Sequence, residues 1–177
     1  MTLYLVRHGR PLVERDQPAS AWSLDPAGYD DIWALRSQAR LPHRAGWFCS
    51  PEPKAVETAQ LLTDAPVGIV DDLREQVRES TDWIDDFSGT VRRAFAEPHL
   101  SAYPGWESLD RCRERVVAAV RPILAAHGDE DVVLIGHGTA WTLLAAELTG
   151  TSPDLKRWEA LGFPDVIELG RPGSQGG

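Results

Sequence analysis

The sequence has few cysteines and no long apolar run, and both absences restrict what the protein can be. Its 177 residues include two cysteines, Cys49 and Cys112, which lie far apart and outside any C-x-x-C pattern. We therefore expect two reduced, partly buried thiols rather than a disulfide framework or a zinc site. No apolar run approaches the length of a membrane span. The first residues also lack the basic start of a signal peptide, which predicts a cytoplasmic protein without a membrane partner.

Positive charge is also scarce in this chain. Lysine and arginine total 18, against 27 aspartate and glutamate residues, so the formal net charge is −9. A field of that sign repels nucleic acid and anionic membranes, and neither is expected as a partner. It also disfavours a phosphorylated ligand at long range. Any anion site must therefore depend on a few local cations and should be sensitive to the loss of one of them.

Short apolar strands alternate with amphipathic helices along the chain. Strands are predicted at residues 3–6, 47–49, 67–70, 132–135 and 166–169, and helices at about 25–40, 50–62, 105–127 and 139–148. Asp25-Pro26 and Ser50-Pro51 are interpreted as the caps that begin the first two helices. The alternation predicts one three-layer α/β/α domain over residues 1–170, with a mostly parallel central sheet. A flexible tail is expected at residues 171–177.

The least regular stretch, residues 71–110, is where a variable cover over a site would lie. It includes a predicted helix that carries aromatic and aliphatic side chains at intervals of four residues: Trp83, Phe87, Val91 and Phe95. A stripe at that spacing is usually a face packed on the core. The alternative interpretation is an aromatic lid over a binding site, in which tryptophans stack on a flat or apolar group.

Two of the predicted strands end in the same way, with a histidine followed by a glycine. The segments are "LYLVRHG", residues 3–9, and "VVLIGHG", residues 132–138. Ligands of open α/β sheets bind beyond the carboxyl ends of the strands. His8 and His137 therefore converge on one crevice if their strands are neighbours.

The residues around the two histidines favour an anion in that crevice. Gly9 and Gly138 let the backbone turn sharply and approach a ligand closely. The helix predicted after Gly138 points its N-terminus, with free N–H groups and a positive dipole, at the same place. Arg7 adds a cation that can grip two oxygens at once. A compact, multiply charged anion fits this set, and phosphate is the obvious candidate.

Motifs spread over most of the chain resemble those of the histidine phosphatase superfamily, also called the phosphoglycerate mutase-like family. "LYLVRHG" resembles its N-terminal Arg-His-Gly signature and "VVLIGHG" its C-terminal histidine element. Between them, "FCSPEPKAVETAQ", "DDLREQ" and "PGWESLDRCRERV" resemble its Ser-Pro, Leu-x-Glu and Gly-Glu-Ser elements, in family order. The resemblance implies a phosphoglycerate mutase-like fold and a phosphatase that needs no metal and no cofactor.

The resemblance also implies a role for each matching residue. His8 would attack phosphorus and carry the phosphoryl group, while its other ring nitrogen donates to a backbone carbonyl. His137 would stabilise charge in the transition state. Glu75 would protonate the leaving alkoxide and then activate water, for which it needs a raised pKa. Glu79, four residues further on, is the alternative acid.

Three residues would bind the phosphoryl oxygens: Arg7, Lys54 and Thr139, the last through its backbone N–H. Most family members have arginine where this chain has Lys54, and lysine keeps the charge but loses the planar fork. A weakened phosphate grip is therefore the alternative to a working substitute. Candidate residues of the substrate pocket are Arg10, Gly9, Trp106 and Glu107. Arg10 is equally compatible with a position on the surface.

Several functions remain compatible with these residues. The first is a phosphomonoesterase that acts on a small phosphorylated substrate of unknown identity. The second is phosphoglycerate mutase-type transfer, for which little chain is available between Glu75 and His137 to build a water-excluding cover. The third is a non-catalytic phosphate- or protein-binding member of the fold. Lys54, in place of the usual arginine, is the residue that favours this alternative. A metal hydrolase is disfavoured, because Arg7 beside His8 would repel a metal ion. The oligomeric state is open.

Overall fold

A five-stranded sheet forms the centre of the molecule, for which the computed structural model describes residues 1–170. Its strands are β1 (Thr2–Arg7), β2 (Gly46–Cys49), β3 (Val67–Ile69), β4 (Val132–Gly136) and β5 (Asp165–Gly170), in the spatial order β3-β2-β4-β1-β5. The first four strands are parallel, and β5 runs antiparallel beside β1 at the edge. The mostly parallel sheet that the alternation predicts is confirmed. The tail predicted at residues 171–177 lies outside the described residues.

Within residues 1–170, α-helices cover both faces of the sheet. They are α1 (Tyr29–Ser37), α2 (Pro53–Leu62), α3 (Phe87–Ala96), α4 (Leu109–His127), α5 (Gly138–Thr149) and α6 (Leu155–Ala160). Helices α1 and α2 pack against one face, and α4 and α5 pack against the other. No helix in this part of the chain is long and apolar enough to cross a membrane. The architecture is the three-layer α/β/α sandwich expected from the sequence.

The two faces of the sheet belong to two separate cores. Side chains alternate in direction along a strand, so Leu5 and Leu134 join the core under α4 and α5. Val6 and Ile135 join the core under α1 and α2. Strand β4 is buried along its whole length because helices cover it from both sides. Its continuous apolar sequence is the signature of such a central parallel strand.

Helix α2 begins later than the sequence indicates. Ser50 and Pro51 precede the helix, Glu52 is the extended residue immediately before it, and Pro53 is its first residue. Proline is favoured there because its missing N–H would be unpaired in any case. The prediction that Ser50 caps the helix is therefore wrong, and the Ser50 hydroxyl contacts His137 instead.

The boundaries of α4 also differ from the prediction. The helix begins at Leu109 rather than Gly105, whose φ of 78° lies in the left-handed region. The Ser108 side chain caps it by accepting a hydrogen bond from the Arg111 N–H. Pro122 lies inside α4 without ending it.

The aromatic stripe of residues 83–95 is divided between the core and the surface. Helix α3 begins at Phe87, so Trp83 lies in the loop before it. Val91 is buried and Phe95 packs against the α4/α5 core. The side chains of Trp83 and Phe87 are 53% and 40% exposed. The interpretation as a core face is correct for one half of the stripe only.

Candidate active site

The two segments in which a strand ends in His-Gly lie side by side at the carboxyl end of the parallel strands. Strands β1 and β4 are neighbouring and parallel, with Arg7 opposite Gly136 in register. The His8 N–H donates to the Gly136 carbonyl at 2.9 Å, which continues the strand pairing past the end of β1. The ring centroids of His8 and His137 are 5.3 Å apart. The two imidazoles therefore share one crevice, as the motifs predict.

A cavity of about 520 Å³ opens beside the two histidines. Its wall includes all six residues predicted to act in catalysis or to bind the phosphoryl oxygens: Arg7, His8, Lys54, Glu75, His137 and Thr139. It also includes Glu52, Gln76 and Arg78, for which the sequence predicts no role. Over residues 1–170, no group of three or more His, Cys, Asp or Glu side chains is arranged to hold a metal ion.

His8 is a buried and neutral imidazole. Its Nδ1 lies 2.7 Å from the Gly9 carbonyl oxygen. A carbonyl oxygen can only accept, so Nδ1 carries the proton and Nε2 keeps its lone pair. Burial lowers the pKa of His8 well below its usual 6.5, and the positive charge of Lys54 acts in the same direction. At neutral pH the ring is therefore in the form that a nucleophile needs.

Arg7 is fixed against an aromatic ring at the edge of the cavity. Its guanidinium carbon lies 3.6 Å from the centroid of the Phe163 ring, and its Nη1 donates to the Leu161 carbonyl at 2.5 Å. A Cβ atom at Gly138 would lie 3.3 Å from the Arg7 Nε, so glycine lets the guanidinium pack on the backbone. In the described part of the chain, that buried Nε has no hydrogen-bond partner. It is a donor available to an anion.

His137 is held from one side of its ring. Its Nε2 lies 2.7 Å from the Ser50 hydroxyl and 3.5 Å from Glu52 Oε1. Burial lowers the pKa of His137 to about 3, so the ring is neutral near pH 7. Its Nδ1 is buried and has no partner among residues 1–170. The hydroxyl of Ser50 therefore positions the second histidine instead of capping a helix.

Glu75 binds the N-terminus of α5 rather than standing free as an acid. Its Oε1 accepts from the N–H groups of Ala140 and Gln76, both at 2.9 Å, and its Oε2 accepts from Thr139 at 3.1 Å. Burial by itself raises the pKa of Glu75, but the charge of Arg78 and these donors outweigh it and lower the pKa to about 2. The expected raised pKa is wrong for this arrangement. The Thr139 N–H, expected to bind phosphate, is bonded to Glu75.

Lys54 is paired with a carboxylate inside the cavity. Its Nζ lies 2.5 Å from Glu52 Oε2 and 2.5 Å from the Ala19 carbonyl oxygen. The other oxygen of Glu52 accepts from the Glu75 N–H at 2.9 Å. Burial raises the pKa of Glu52, and the neighbouring Lys54 acts in the opposite direction. A phosphoryl group that approaches Lys54 must therefore compete with Glu52.

Arg78 is a cation of the cavity that the sequence analysis missed. Its guanidinium carbon lies 4.6 Å from the Trp106 ring centroid and 4.9 Å from that of Phe87. Its Nη2 lies 3.1 Å from Gln76 Oε1 and 3.4 Å from Thr139 Oγ1. In the sequence, Arg78 belongs to the run "LREQVRE", whose mixed charges are typical of a solvated surface. A single antiparallel bridge to Trp106 turns it inward, and no local signal indicates that pairing.

Two of the four candidate pocket residues, Arg10 and Gly9, lie outside the cavity walls. Arg10 forms a surface ion pair with Asp25, with 3.0 Å between Nε and Oδ2. The surface interpretation of Arg10 is therefore the one that the structure favours. Gly9 supports His8 from behind, because its N–H donates to the Thr58 hydroxyl at 3.0 Å while its carbonyl accepts from the His8 ring.

Of the other two candidates, Trp106 lines a neighbouring cavity and Glu107 does not line either cavity. Glu107 is paired with Arg115 at 2.7 Å and accepts from the Val77 N–H at 3.0 Å. It therefore fixes the backbone next to Glu75 instead of contacting a substrate. Glu79, the alternative acid, lines the catalytic cavity and is exposed.

Comparisons with known proteins identify the family and agree with the fold. The uncharacterized phosphatase PhoE of Bacillus subtilis is 24% identical over 158 residues, covering 86% of this chain and 79% of that protein. Bacillus stearothermophilus YhfR superposes with a TM-score of 0.76 at 25% identity, covering 97% of this chain and 92% of that one. A mycobacterial glucosyl-3-phosphoglycerate phosphatase superposes at 0.73 with 23% identity, covering 94% and 88%, and shows the fold alone. Because the family model of the histidine phosphatase superfamily, branch 1, matches residues 3–169, the chain belongs to that superfamily.

Proposed function

We propose that the protein hydrolyses phosphomonoesters through a phosphohistidine intermediate on His8, without a metal ion or a cofactor. The observation that carries the proposal is the state of His8. Its ring is buried and neutral, and its Nδ1 is committed to the Gly9 carbonyl, so Nε2 is the nucleophile. Membership of the superfamily and the phosphatase names of its relatives support the same reaction class.

In the first step, His8 Nε2 donates its lone pair to phosphorus. The ester P–O bond breaks, and its electron pair leaves on the oxygen of the alcohol. The unpartnered Nε of Arg7 is a donor for the phosphoryl oxygens, and the buried ring of His137 lies beside them. Fixed donors of this kind supply most of the stabilisation in phosphoryl transfer.

Glu75 carries the proton that the leaving oxygen needs. Because its pKa is about 2, the carboxyl group is ionised before the substrate binds. A phosphomonoester has a second pKa of about 6, so its monoanion brings a proton into the site. The negative phosphoryl group also raises the pKa of a neighbouring carboxylate. Glu75 therefore takes up the proton from the substrate and passes it to the alkoxide.

In the second step, water attacks the phosphorus of the phosphohistidine. The P–N bond breaks, and its electron pair returns to His8 Nε2. Glu75, ionised again after the first step, accepts a proton from the water and then releases it to the departing phosphate. The substrate and one water molecule thus give the alcohol and inorganic phosphate, and the site is restored.

Two contacts favour a second candidate function, a phosphate-binding member of the fold without turnover. Lys54 is paired with Glu52, and the helix N-terminus is already bonded to Glu75. Both contacts reduce the positive potential that a phosphoryl group meets. A protein in which they persisted on binding would hold phosphate weakly and would not transfer it.

The test compares the wild-type protein with His8→Ala in phosphate release from an aryl phosphate, with a chelator in excess. We expect turnover that resists the chelator and falls to background in His8→Ala. His43→Asn, which changes an exposed histidine, is the matched control and keeps the wild-type rate. Turnover that the chelator abolishes would overturn the mechanism. Binding of inorganic phosphate without turnover would support the second candidate.

A further inference from the structure

We propose that a second cavity, next to the catalytic one, binds the leaving group of the substrate and that this group is a planar aromatic ring system. The cavity has a volume of about 330 Å³. Both cavities fall in the size range of small-molecule sites, which is about 300–1,000 Å³. The inference rests on the proposed phosphatase function and adds to it the class of alcohol that is released.

The two cavities are adjacent. Four residues line both of them: Ala19, Trp22, Arg78 and Phe87. In the proposed binding mode, the phosphoryl group lies beside His8 and the leaving group extends past Arg78 into the second cavity. Arg78 itself contacts Thr139 Oγ1 on the catalytic side and stacks on Trp106 on the other.

Flat groups form the wall of the second cavity. Its aromatic lining consists of Trp22, Trp83, Phe87 and Trp106. Two guanidinium groups stack on these rings, with Arg15 at 4.1 Å from the Trp83 centroid and Arg78 at 4.6 Å from that of Trp106. Ring faces and guanidinium planes attract another planar π-system more strongly than an aliphatic group of the same size. This wall therefore favours an aromatic occupant.

Exposed apolar side chains are concentrated on this cavity. Among residues 1–170, seven large hydrophobic side chains are exposed, and three of them line it: Val13, Trp83 and Phe87. Grouped apolar exposure of this kind marks ligand or partner sites, whereas single exposed residues need no explanation. Trp83 and Phe87 thus fit the aromatic-lid interpretation of the stripe better than the core interpretation.

The wall is also held in place. The hydroxyl of Tyr103 donates to Asp82 Oδ2 at 3.0 Å, which anchors the loop that carries Trp83. The Trp106 ring lies 6.0 Å from that of Tyr103 and 5.9 Å from that of Phe87. A wall that is already ordered loses less entropy when a ring binds to it.

The experiment uses three phosphomonoesters of primary alcohols: 2-naphthylmethyl, decahydro-2-naphthylmethyl and ethyl phosphate. The first two have the same carbon skeleton, and the three alcohols differ little in acidity, so differences in kcat/KM report how the organic group is bound. We expect kcat/KM for the naphthylmethyl ester to exceed that for the decahydronaphthylmethyl ester by about tenfold. Equal values for these two esters would overturn the aromatic subsite.

Variants test whether the preference for the aromatic ester depends on the second cavity. In Trp83→Ala we expect the ratio of naphthylmethyl to ethyl kcat/KM to fall about tenfold, and Trp83→Phe to restore most of it. Trp33→Ala is the matched control, because Trp33 lies on α1 and is 49% exposed, close to the 53% of Trp83. It should keep the wild-type ratio. An unchanged ratio in Trp83→Ala would place the ring elsewhere and overturn the inference.

A binding measurement separates this inference from the proposed function. The corresponding phosphonates, whose P–C bond is not hydrolysed, are titrated by calorimetry. A lower Kd for 2-naphthylmethylphosphonate than for decahydro-2-naphthylmethylphosphonate supports the subsite even if no ester is turned over, in which case only the proposed function fails. Equal Kd values beside His8-dependent turnover overturn the subsite alone.

Discussion

In the proposed mechanism, Glu52 competes with a phosphoryl group for the donors of the cavity. Its two oxygens bond the ammonium group of Lys54 and the N–H of Glu75. Both partners are donors that a phosphoryl group would otherwise attract. The protein as a whole carries a net charge of −9, so the local cations have little support from the long-range field. A carboxylate among them weakens the site further.

Replacing Glu52 should therefore strengthen phosphate binding. We expect Glu52→Gln to lower the Kd for inorganic phosphate about tenfold, because a charge-assisted hydrogen bond to Lys54 becomes available to the ligand. Calorimetric titration measures the change, and Glu159→Gln is the control because Glu159 is paired with Arg92 on the surface. Equal or weaker binding in Glu52→Gln would show that Lys54 does not reach the phosphate.

Removing the proposed proton carrier, Glu75, should slow both steps of the proposed reaction. We expect Glu75→Gln to lower kcat by about 10²- to 10⁴-fold, the usual contribution of general acid–base catalysis. Glu79→Gln is the matched control, since Glu79 lines the same cavity four residues away. Steady-state kcat values of both variants show which of the two carboxylates carries the proton. A loss confined to Glu79→Gln would transfer the role to that residue.

At the scale of elements, the sequence indicates the strands and the meeting of the two histidines, because both follow from local patterns. A strand that ends in His-Gly places its imidazole at the carboxyl end of the sheet. The apolar run 132–135 predicts a central strand. The contacts of Ser50 and Arg78 could not be predicted in the same way. Each depends on a partner far away in the chain, His137 for Ser50 and Trp106 for Arg78.

The end of β4 is packed so closely that it requires glycine. A Cβ atom at Gly136 would lie 2.5 Å from Cζ2 of Trp141, whose ring is fully buried and donates to the Val6 carbonyl at 2.8 Å. We expect Gly136→Ala to lower the free energy of unfolding by about 1–3 kcal/mol, as overpacking does. Urea denaturation measures it. Gly170→Ala in β5 is the control, because its Cβ meets nothing within 4 Å, and equal stability of the two variants would contradict the prediction.

At the scale of the whole molecule, the two buried histidines make stability depend on pH. Burial lowers the pKa of His137 from 6.5 to about 3 and lowers that of His8 well below 6.5. Between those values the unfolded chain binds more protons than the folded protein. Stability therefore rises with pH in this range and is lost as the pH falls from 6.5 toward 3.

Removing one of these histidines should flatten that dependence. We expect His137→Asn to reduce the slope of unfolding free energy against pH by at most about 1.4 kcal/mol per pH unit between pH 6 and pH 4. Urea denaturation at a series of pH values gives the slope. His43→Asn changes an exposed histidine and should keep the wild-type slope. An identical slope for His137→Asn would mean that its ring is not neutral in the folded state.

The hydrogen bond from the His8 N–H to the Gly136 carbonyl has a consequence for how such proteins diverge. The distance between the backbones of His8 and His137 is set by main-chain atoms, which are the same whatever side chains surround them. The wall of the second cavity is built from side chains, many of them in residues 78–106. If the proposed reaction and subsite are correct, mutation and selection can exchange the alcohol that is released and leave the phosphorus chemistry intact, so that one scaffold can give rise to a lineage of enzymes with unrelated substrates.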